Sequence, residues 1–184
     1  IRMFMLSAHY RTPLNYSAES LEMNKASLAR LYEARNNMEF RISKAEGDAM
    51  TAEESAKMEA LAAYKQKFID AMDDDLNAAD ALSAIFELTR EINAYMGAHQ
   101  DATKAFLTAA HALFMELTGV LNIVQKHEDA AADPDAEKIE ALIAQRAAAK
   151  KEKNFAEADR IRDELAAMGV TIKDTRQGIQ WSRA

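Results

Sequence analysis

The sequence has 184 residues with abundant alanine, only five glycines and two prolines, and no cysteine. This composition favours helices over a β-rich fold, and the absence of cysteine excludes disulfides and thiolate metal sites. The formal net charge of −7 is uneven, because residues 1–135 carry 13 basic and 22 acidic side chains whereas residues 136–184 carry 10 and 8. The basic end of this acidic chain indicates a contact with a polyanion. No apolar run is long enough to span a bilayer, so we expect a cytoplasmic protein without a membrane partner.

Helical periodicity dominates the chain from its start. A short helix opens at Ile1–Leu6 with no capping residue before it, and we expect the chain to be a piece of a longer protein. Ser17 is a suitable N-cap for a helix over about residues 18–42. Thr51 and Glu54 form a capping-box pattern, which predicts a helix that ends near residue 71.

Two further helices carry apolar stripes at helical spacing. Asn77 caps the first and Gly97 ends it, whereas the second begins at about residue 102 and bends at Gly119. The stripes predict the core of a helical bundle, which Leu121–Val124 extends. Their members are Leu82, Ile85, Phe86, Thr89, Ile92 and Met96, then Phe106, Leu107, Ala110, Leu113, Phe114 and Leu117.

The polar segment 127–135 is the best candidate for a linker. After it, Asp133 is expected to cap a helix from Pro134 to about Lys150, and the Asn154–Glu157 pattern caps a last helix that ends at Gly169. Two alternating apolar segments then flank the turn DTRQG and predict a β-hairpin. The predicted fold is therefore mainly α, an antiparallel helical bundle followed by a small helix–helix–β-hairpin module.

The sequence contains no recognisable catalytic or metal-binding motif. Its four histidines lack the spacing of metal ligands, and there is no P-loop, dinucleotide fingerprint or nucleophile motif. Asp73–Asp75 would suit Mg²⁺, but three carboxylates before a helix more often form a solvated start that interacts favourably with the helix dipole. We therefore predict no metal and no catalytic residue.

The last helix places different side chains on two faces. Ala158, Ile161, Leu165 and Met168 form its core face, and Phe155, Asp159 and Arg162 share an exposed edge about a quarter turn away. Aromatic rings stack on unpaired bases, carboxylates accept from base amino groups and cations hold phosphates, so this edge suits RNA. Alternatively, Phe155 seals the helix start and Asp159–Arg162 is a surface pair.

The preceding helix points one more cation toward this edge. Its inward stripe consists of Ile139, Leu142, Ile143 and Arg146. Lys150 continues that line one turn later and would project toward Phe155.

Three segments, SAHYRTPLNYS, AMDDDLNAADALSAIFEL and ALIAQRAAAKKEKNFAEADRIRDELAAMGVTIKDTRQGIQW, together resemble the C-terminal half of bacterial cysteinyl-tRNA synthetase, a class I aminoacyl-tRNA synthetase. The resemblance covers essentially the whole chain, in order. It implies a parent enzyme that attaches cysteine to tRNA-Cys and holds ATP and zinc in an N-terminal catalytic domain. None of those catalytic residues is in this chain, so we expect the chain alone to be inactive and to bind no cofactor. Its implied partners are tRNA-Cys and the catalytic domain.

The resemblance also divides the chain. It implies that residues 1–16 end a stem-contact region, residues 17–126 form the helical bundle of class I synthetases, residues 127–133 are a linker and residues 134–184 form the anticodon-recognition domain.

The family reads the GCA anticodon with residues of that last domain. Carried over by motif position, the implied contacts are Lys150, Phe155, Asp159 and Asp174, with Arg176 beside Asp174 in the hairpin loop. Lys150 stands where arginine is common and Phe155 where tryptophan is common, so the fork of one and the N–H donor of the other are lost. Arg162 and Trp181 are additional candidates, and we expect Trp181 mainly to pack, because a two-stranded hairpin is marginal without an anchor.

A second hypothesis is a helical protein-interaction module without RNA specificity. The acidic body and the apolar face of Ile1–Leu6 motivate it. Salt distinguishes the two, because RNA binding weakens steeply as the salt concentration rises.

Overall fold

The computed structural model describes residues 1–124, 135–175 and 178–183. The chain divides into two compact units, Ile1–Lys126 and His127–Ala184. Unit 1 contains five helices among its described residues, and unit 2 contains two helices and a two-stranded sheet. They are α1 (Arg2–Leu6), α2 (Ala18–Lys44), α3 (Ala52–Asp73), α4 (Ala78–Ala98) and α5 (Lys104–Val120), then α6 (Ala136–Lys151), α7 (Phe155–Ala167), β1 (Val170–Thr175) and β2 (Gly178–Arg183).

Local capping fixes where the helices of unit 1 begin. Ser17 and Thr51 each accept from a backbone N–H three residues later at 3.1 Å, and both complete a capping box. Asn77 accepts from the N–H of Asp80 at 3.2 Å, as the sequence predicts. Thr103 caps α5, which therefore begins two residues later than expected and continues through Gly119 to Val120.

The core of unit 1 lies where α3 packs on α4 and α5, and α2 on α5. The predicted stripes of α4 and α5 are buried, except that Phe86 is half-buried. Leu121, Ile123 and Val124 extend this core as predicted. The spacing of the apolar residues thus positions both helices, since each presents one continuous stripe inward.

Two buried charged side chains tie distant helix ends together. The guanidinium of Arg41 on α2 donates to the carbonyl oxygens of Met96, His99 and Gln100 at 2.9, 2.8 and 3.2 Å, where α4 ends. Glu54 on α3 accepts from the N–H and the hydroxyl of Thr103 at 2.7 and 2.8 Å, at the start of α5. Burial raises the pKa of Glu54, but the hydrogen bonds from Thr103 and Thr51 outweigh it and leave that pKa below its ordinary value.

The acidic run Asp73–Asp75 differs from the expected helix start. Asp73 is the last residue of α3, so its charge lies at the negative end of that helix dipole. Asp75 has a left-handed backbone with φ of 56° and accepts from the hydroxyl of Tyr10 at 2.7 Å. The guanidinium of Arg11 lies 3.1 Å from the same carboxylate. The run therefore ends α3 and, through Asp75, contacts the segment before α2. It does not form the start of α4.

Unit 2 has a small core of its own. It consists of Ile139, Leu142, Ile161, Leu165 and Val170, with Ile143, Met168, Ile172 and Trp181 packed against it. The predicted core faces of both helices are thus confirmed. α6 begins at Ala136 after Asp135, two residues later than expected, and the proposed cap Asp133 lies outside the described residues.

The two strands of unit 2 pair antiparallel. Val170 is opposite Arg183, Ile172 is opposite Trp181 and Thr175 is opposite Gly178. Only residues 176 and 177 separate the strands, so the predicted five-residue turn DTRQG is too long. Pairing through the polar residues 173–175 lengthens β1, because backbone hydrogen bonds do not depend on apolar side chains.

Candidate nucleic-acid interface

The first turn of α7 exposes a large aromatic ring. Phe155 is the first residue of this helix and is 64% exposed. Asn154 caps the helix, since its side-chain oxygen accepts from the N–H of Glu157 at 3.3 Å. Ala158, Ile161 and Leu165 turn toward the core, which leaves Phe155 on another side. The predicted exposed edge is therefore present, and Phe155 does not seal the helix against α6.

Asp159 and Arg162 complete this edge and contact each other. Nη1 of Arg162 lies 3.4 Å from Oδ1 of Asp159, and Nε lies 3.7 Å from Asp163. This is the surface pair that the sequence offers as an alternative to RNA contact. Both side chains are more than half exposed, and an ion pair at such exposure contributes little to stability. Exchanging the pair for contacts with a ligand therefore has a small cost.

Arg160 is a stronger ion-pairing residue that the sequence reading missed. Its guanidinium donates to both oxygens of Glu157 at 2.9 and 2.6 Å, and to Glu164 at 3.0 Å. The carboxylates of Glu157 and Glu164 raise the pKa of Arg160, and the hydrogen bond from Arg160 lowers the pKa of Glu157. The i,i+3 and i,i+4 spacings were the available signal. Arg160 therefore belongs to a surface network on α7.

The turn between α6 and α7 adjoins the exposed ring. Lys150 is exposed in the last turn of α6, whereas Arg146, one turn earlier, is buried. The following residues, Lys151, Glu152 and Lys153, are also exposed. Three lysines thus lie among the five residues that precede Phe155 in the sequence.

The strands contribute the remaining candidates. The backbone of Asp174 lies in β1 opposite Ile179, but its side chain and the whole of Arg176 lie outside the described parts. Trp181 in β2 is half-buried against the core of unit 2, opposite Ile172. Trp181 therefore packs, as the anchoring argument predicts.

The described ranges contain neither a cluster of metal-ligating side chains nor a helix suited to span a membrane. Within residues 1–124, 135–175 and 178–183, no three His, Asp or Glu side chains form a group able to hold a metal ion. In the same ranges no helix combines the length and apolarity that crossing a bilayer requires.

Known protein families match a part of each unit. Residues 134–181 match the cysteinyl-tRNA ligase anticodon binding domain, and residues 67–125 match the DALR domain. The chain carries the DALR and anticodon-binding domains of the cysteine–tRNA ligase family. The matched anticodon-binding domain contains every candidate contact residue, from Lys150 to Trp181.

Full-length relatives extend the match over the whole chain. The cysteine–tRNA ligase of Clostridioides difficile is 47% identical over 183 residues, and that of Symbiobacterium thermophilum is 46% identical over 184 residues. Each match covers 100% of this chain but only 38% of the relative. The chain therefore spans well under half the length of these relatives.

Proposed function

We propose that residues 134–184 read the anticodon of tRNA-Cys, with α7 as the recognition helix. The observation that carries this proposal is the exposed ring of Phe155, beside Asp159 and Arg162, in a domain that matches an anticodon-binding family. An unpaired base stacks on Phe155, and such stacking tolerates any base. Asp159 supplies the selectivity, because its carboxylate accepts from a base amino group.

The other candidates have supporting roles in this proposal. Lys150 holds a phosphate or a single base acceptor, because an ammonium cannot form a bidentate fork. Asp174 and Arg176 contact the anticodon loop from the end of the strands. Arg162 contacts a phosphate after leaving Asp159, and Trp181 supports the strands from inside.

The proposed domain organisation follows from the same assignment. Residues 1–16 end a stem-contact region, residues 17–126 form the helical bundle and residues 127–133 link it to the anticodon-recognition domain. Together they form the tRNA-binding part of a cytoplasmic ligase that activates cysteine with ATP, holds zinc in another domain and serves protein biosynthesis. The chain alone is inactive in this proposal. Cysteine-dependent ATP–pyrophosphate exchange by the purified chain would contradict that part.

Anisotropy of a labelled anticodon stem–loop tests the anticodon assignment. Measurements at low salt compare the GCA loop with loops that differ by one anticodon base. Asp159→Ala is expected to weaken GCA binding by about 1–3 kcal/mol and to reduce the preference over other loops. Equal weakening for all loops would remove Asp159 from base recognition. Glu140→Ala is a matched control, because Glu140 is an exposed carboxylate on α6.

A protein-interaction module is the second candidate, and α1 supplies its main observation. Ile1, the residue before α1, and Met5 within α1 are 89% and 60% exposed, whereas Met3 and Phe4 of the helix are buried. The exposed apolar side chains of α1 are thus fewer than its sequence suggests. Self-association that persists at high salt, without RNA binding, would favour this candidate.

A further inference from the structure

The turn between α6 and α7 is a Schellman motif with an unusual residue. The N–H of Asn154 donates to the carbonyl of Ala149 at 2.9 Å, and the N–H of Lys153 donates to that of Lys150 at 3.1 Å. Lys153 therefore occupies the position after the C-cap, with φ of 59°. That position usually belongs to glycine, because a Cβ disfavours the left-handed backbone.

In the same unit, the turn after the next helix has glycine at the corresponding position. α7 ends with Gly169 at φ of 72°, and the N–H of Gly169 donates to the carbonyl of Ala166 in the equivalent way. Both turns thus have the same backbone requirement, and only the first carries a side chain there. Glycine would suit this left-handed backbone better than lysine, so the conformation of the turn does not explain why Lys153 is present. The explanation must lie in its side chain.

The charge of Lys153 also differs from those of the arginines on α7. Arg160 is held by Glu157 and Glu164, and Arg162 lies against Asp159. Lys153 is exposed and forms no ion pair with another described residue. It lies two residues before Phe155, within about 7 Å along the chain. Lys153 thus supplies a positive charge, unpaired among the described residues, two residues before the exposed ring.

We propose that Lys153 binds the phosphate of the nucleotide whose base stacks on Phe155. This inference rests on the proposed RNA-binding function and adds a residue to it. Stacking fixes the base but leaves its phosphate in solvent, and nucleic-acid sites commonly combine aromatic stacking with cations along the backbone. The left-handed turn fixes the position of the lysine Cβ. In this proposal the strain of the turn is tolerated because it places the side chain for binding.

Replacing Lys153 by glycine separates binding from stability. Lys153→Gly should raise or maintain the unfolding midpoint of unit 2, followed by the fluorescence of Trp181, because glycine suits the turn. The same variant should weaken binding of every stem–loop to a similar degree, as expected for a phosphate contact. Its slope of log K against log salt should fall by about 0.7. The affinity ratio of wild type to variant should accordingly shrink about 2.6-fold between 50 and 200 mM salt.

Two further variants complete the test. Lys153→Arg keeps the charge and should keep the salt slope. Lys138→Gln removes the same charge about 20 Å away along α6 and should change neither slope nor affinity.

The outcomes separate this inference from the function on which it rests. An unchanged slope for Lys153→Gly, with preference for GCA retained, would overturn the role of Lys153 alone. Loss confined to the GCA loop would also overturn it, because a phosphate contact does not distinguish bases. Failure of the wild-type chain to bind any loop would overturn both proposals.

Discussion

Removal of the Glu54 side chain should cause a large loss of stability in unit 1. Glu54 is 3% exposed, and its carboxylate links the starts of two helices. It accepts from the N–H of Thr51 at 2.8 Å, and from the N–H and hydroxyl of Thr103 at 2.7 and 2.8 Å. Glu54→Ala therefore leaves the N–H of Thr51, at the start of α3, without its acceptor. It also removes both hydrogen bonds from Thr103, at the start of α5.

The size of the loss follows from the donors left behind. An N–H that loses its buried partner costs about 1–3 kcal/mol. Thr51 is exposed, so water replaces its partner at the lower end of that range, whereas Thr103 is half-buried. The sum is about 2–4 kcal/mol, a large share of the 5–15 kcal/mol that is typical of a domain.

Urea unfolding followed by circular dichroism at 222 nm measures this loss. Glu59→Ala is the control, because Glu59 is an exposed residue of the same helix and should change stability by less than about 0.5 kcal/mol. Trp181, the only tryptophan, reports unit 2 through its fluorescence, and its transition should not move. Similar losses for the two alanine variants would refute the capping role of Glu54.

Acid gives an independent check on the same residue. The pKa of Glu54 is lowered in the folded protein, so its stabilisation is fully present above the unfolded value of about 4.3. It is lost as the pH falls through the lower folded pKa. The stability difference between wild type and Glu54→Gln should therefore narrow below about pH 4.3. A difference that stays constant there would contradict a bound carboxylate.

Three other predictions concern single side chains of the two units. Arg41→Met should destabilise unit 1 by about 2–4 kcal/mol, because the end of α4 loses the donor to three carbonyls; urea unfolding measures it, and a loss below about 0.5 kcal/mol would refute that role. Trp181→Ala should increase hydrogen exchange at the amides of β1, because it removes a ring packed on the core of unit 2. Phe155→Ala should leave that exchange unchanged but weaken stem–loop binding by about 1–3 kcal/mol, measured by anisotropy. The reverse pattern would exchange the roles assigned to the two rings.

Local signals in the sequence account for most of the helix starts. The Thr51–Glu54 capping box was predictable because its partners are three residues apart. The second role of Glu54 was not, because Thr103 is 49 residues away and no local pattern links the two. Sequence patterns therefore predicted the cap of α3 but not the hydrogen bonds that connect α3 to α5.

The connection between α3 and α4 shows a second limit. Asp75 and Leu76 both have left-handed backbones, with φ of 56° and 54°, although neither is glycine. Glycine or asparagine is the usual sequence signal for such a turn. Because this signal is absent, the sequence predicted that the acidic run forms the start of α4. The contacts of Asp75 with Tyr10 and Arg11 were not predictable either, because those residues lie in a distant part of the chain.

The exposed edge of α7 was predictable from the helical periodicity of the sequence. The two aromatic rings of unit 2, Trp181 and Phe155, differ in how far they are buried. Unit 2 has few apolar side chains in its core, and Trp181 is packed against them. Phe155 remains 64% exposed on the same unit, although full burial of such a side chain contributes about 1.5–3 kcal/mol. A module with so small a core gains most from each ring that it buries. The exposure of Phe155, two residues after a lysine that has no ion-pair partner among the described residues, is therefore better explained by a ligand that covers the ring than by the stability of the fold.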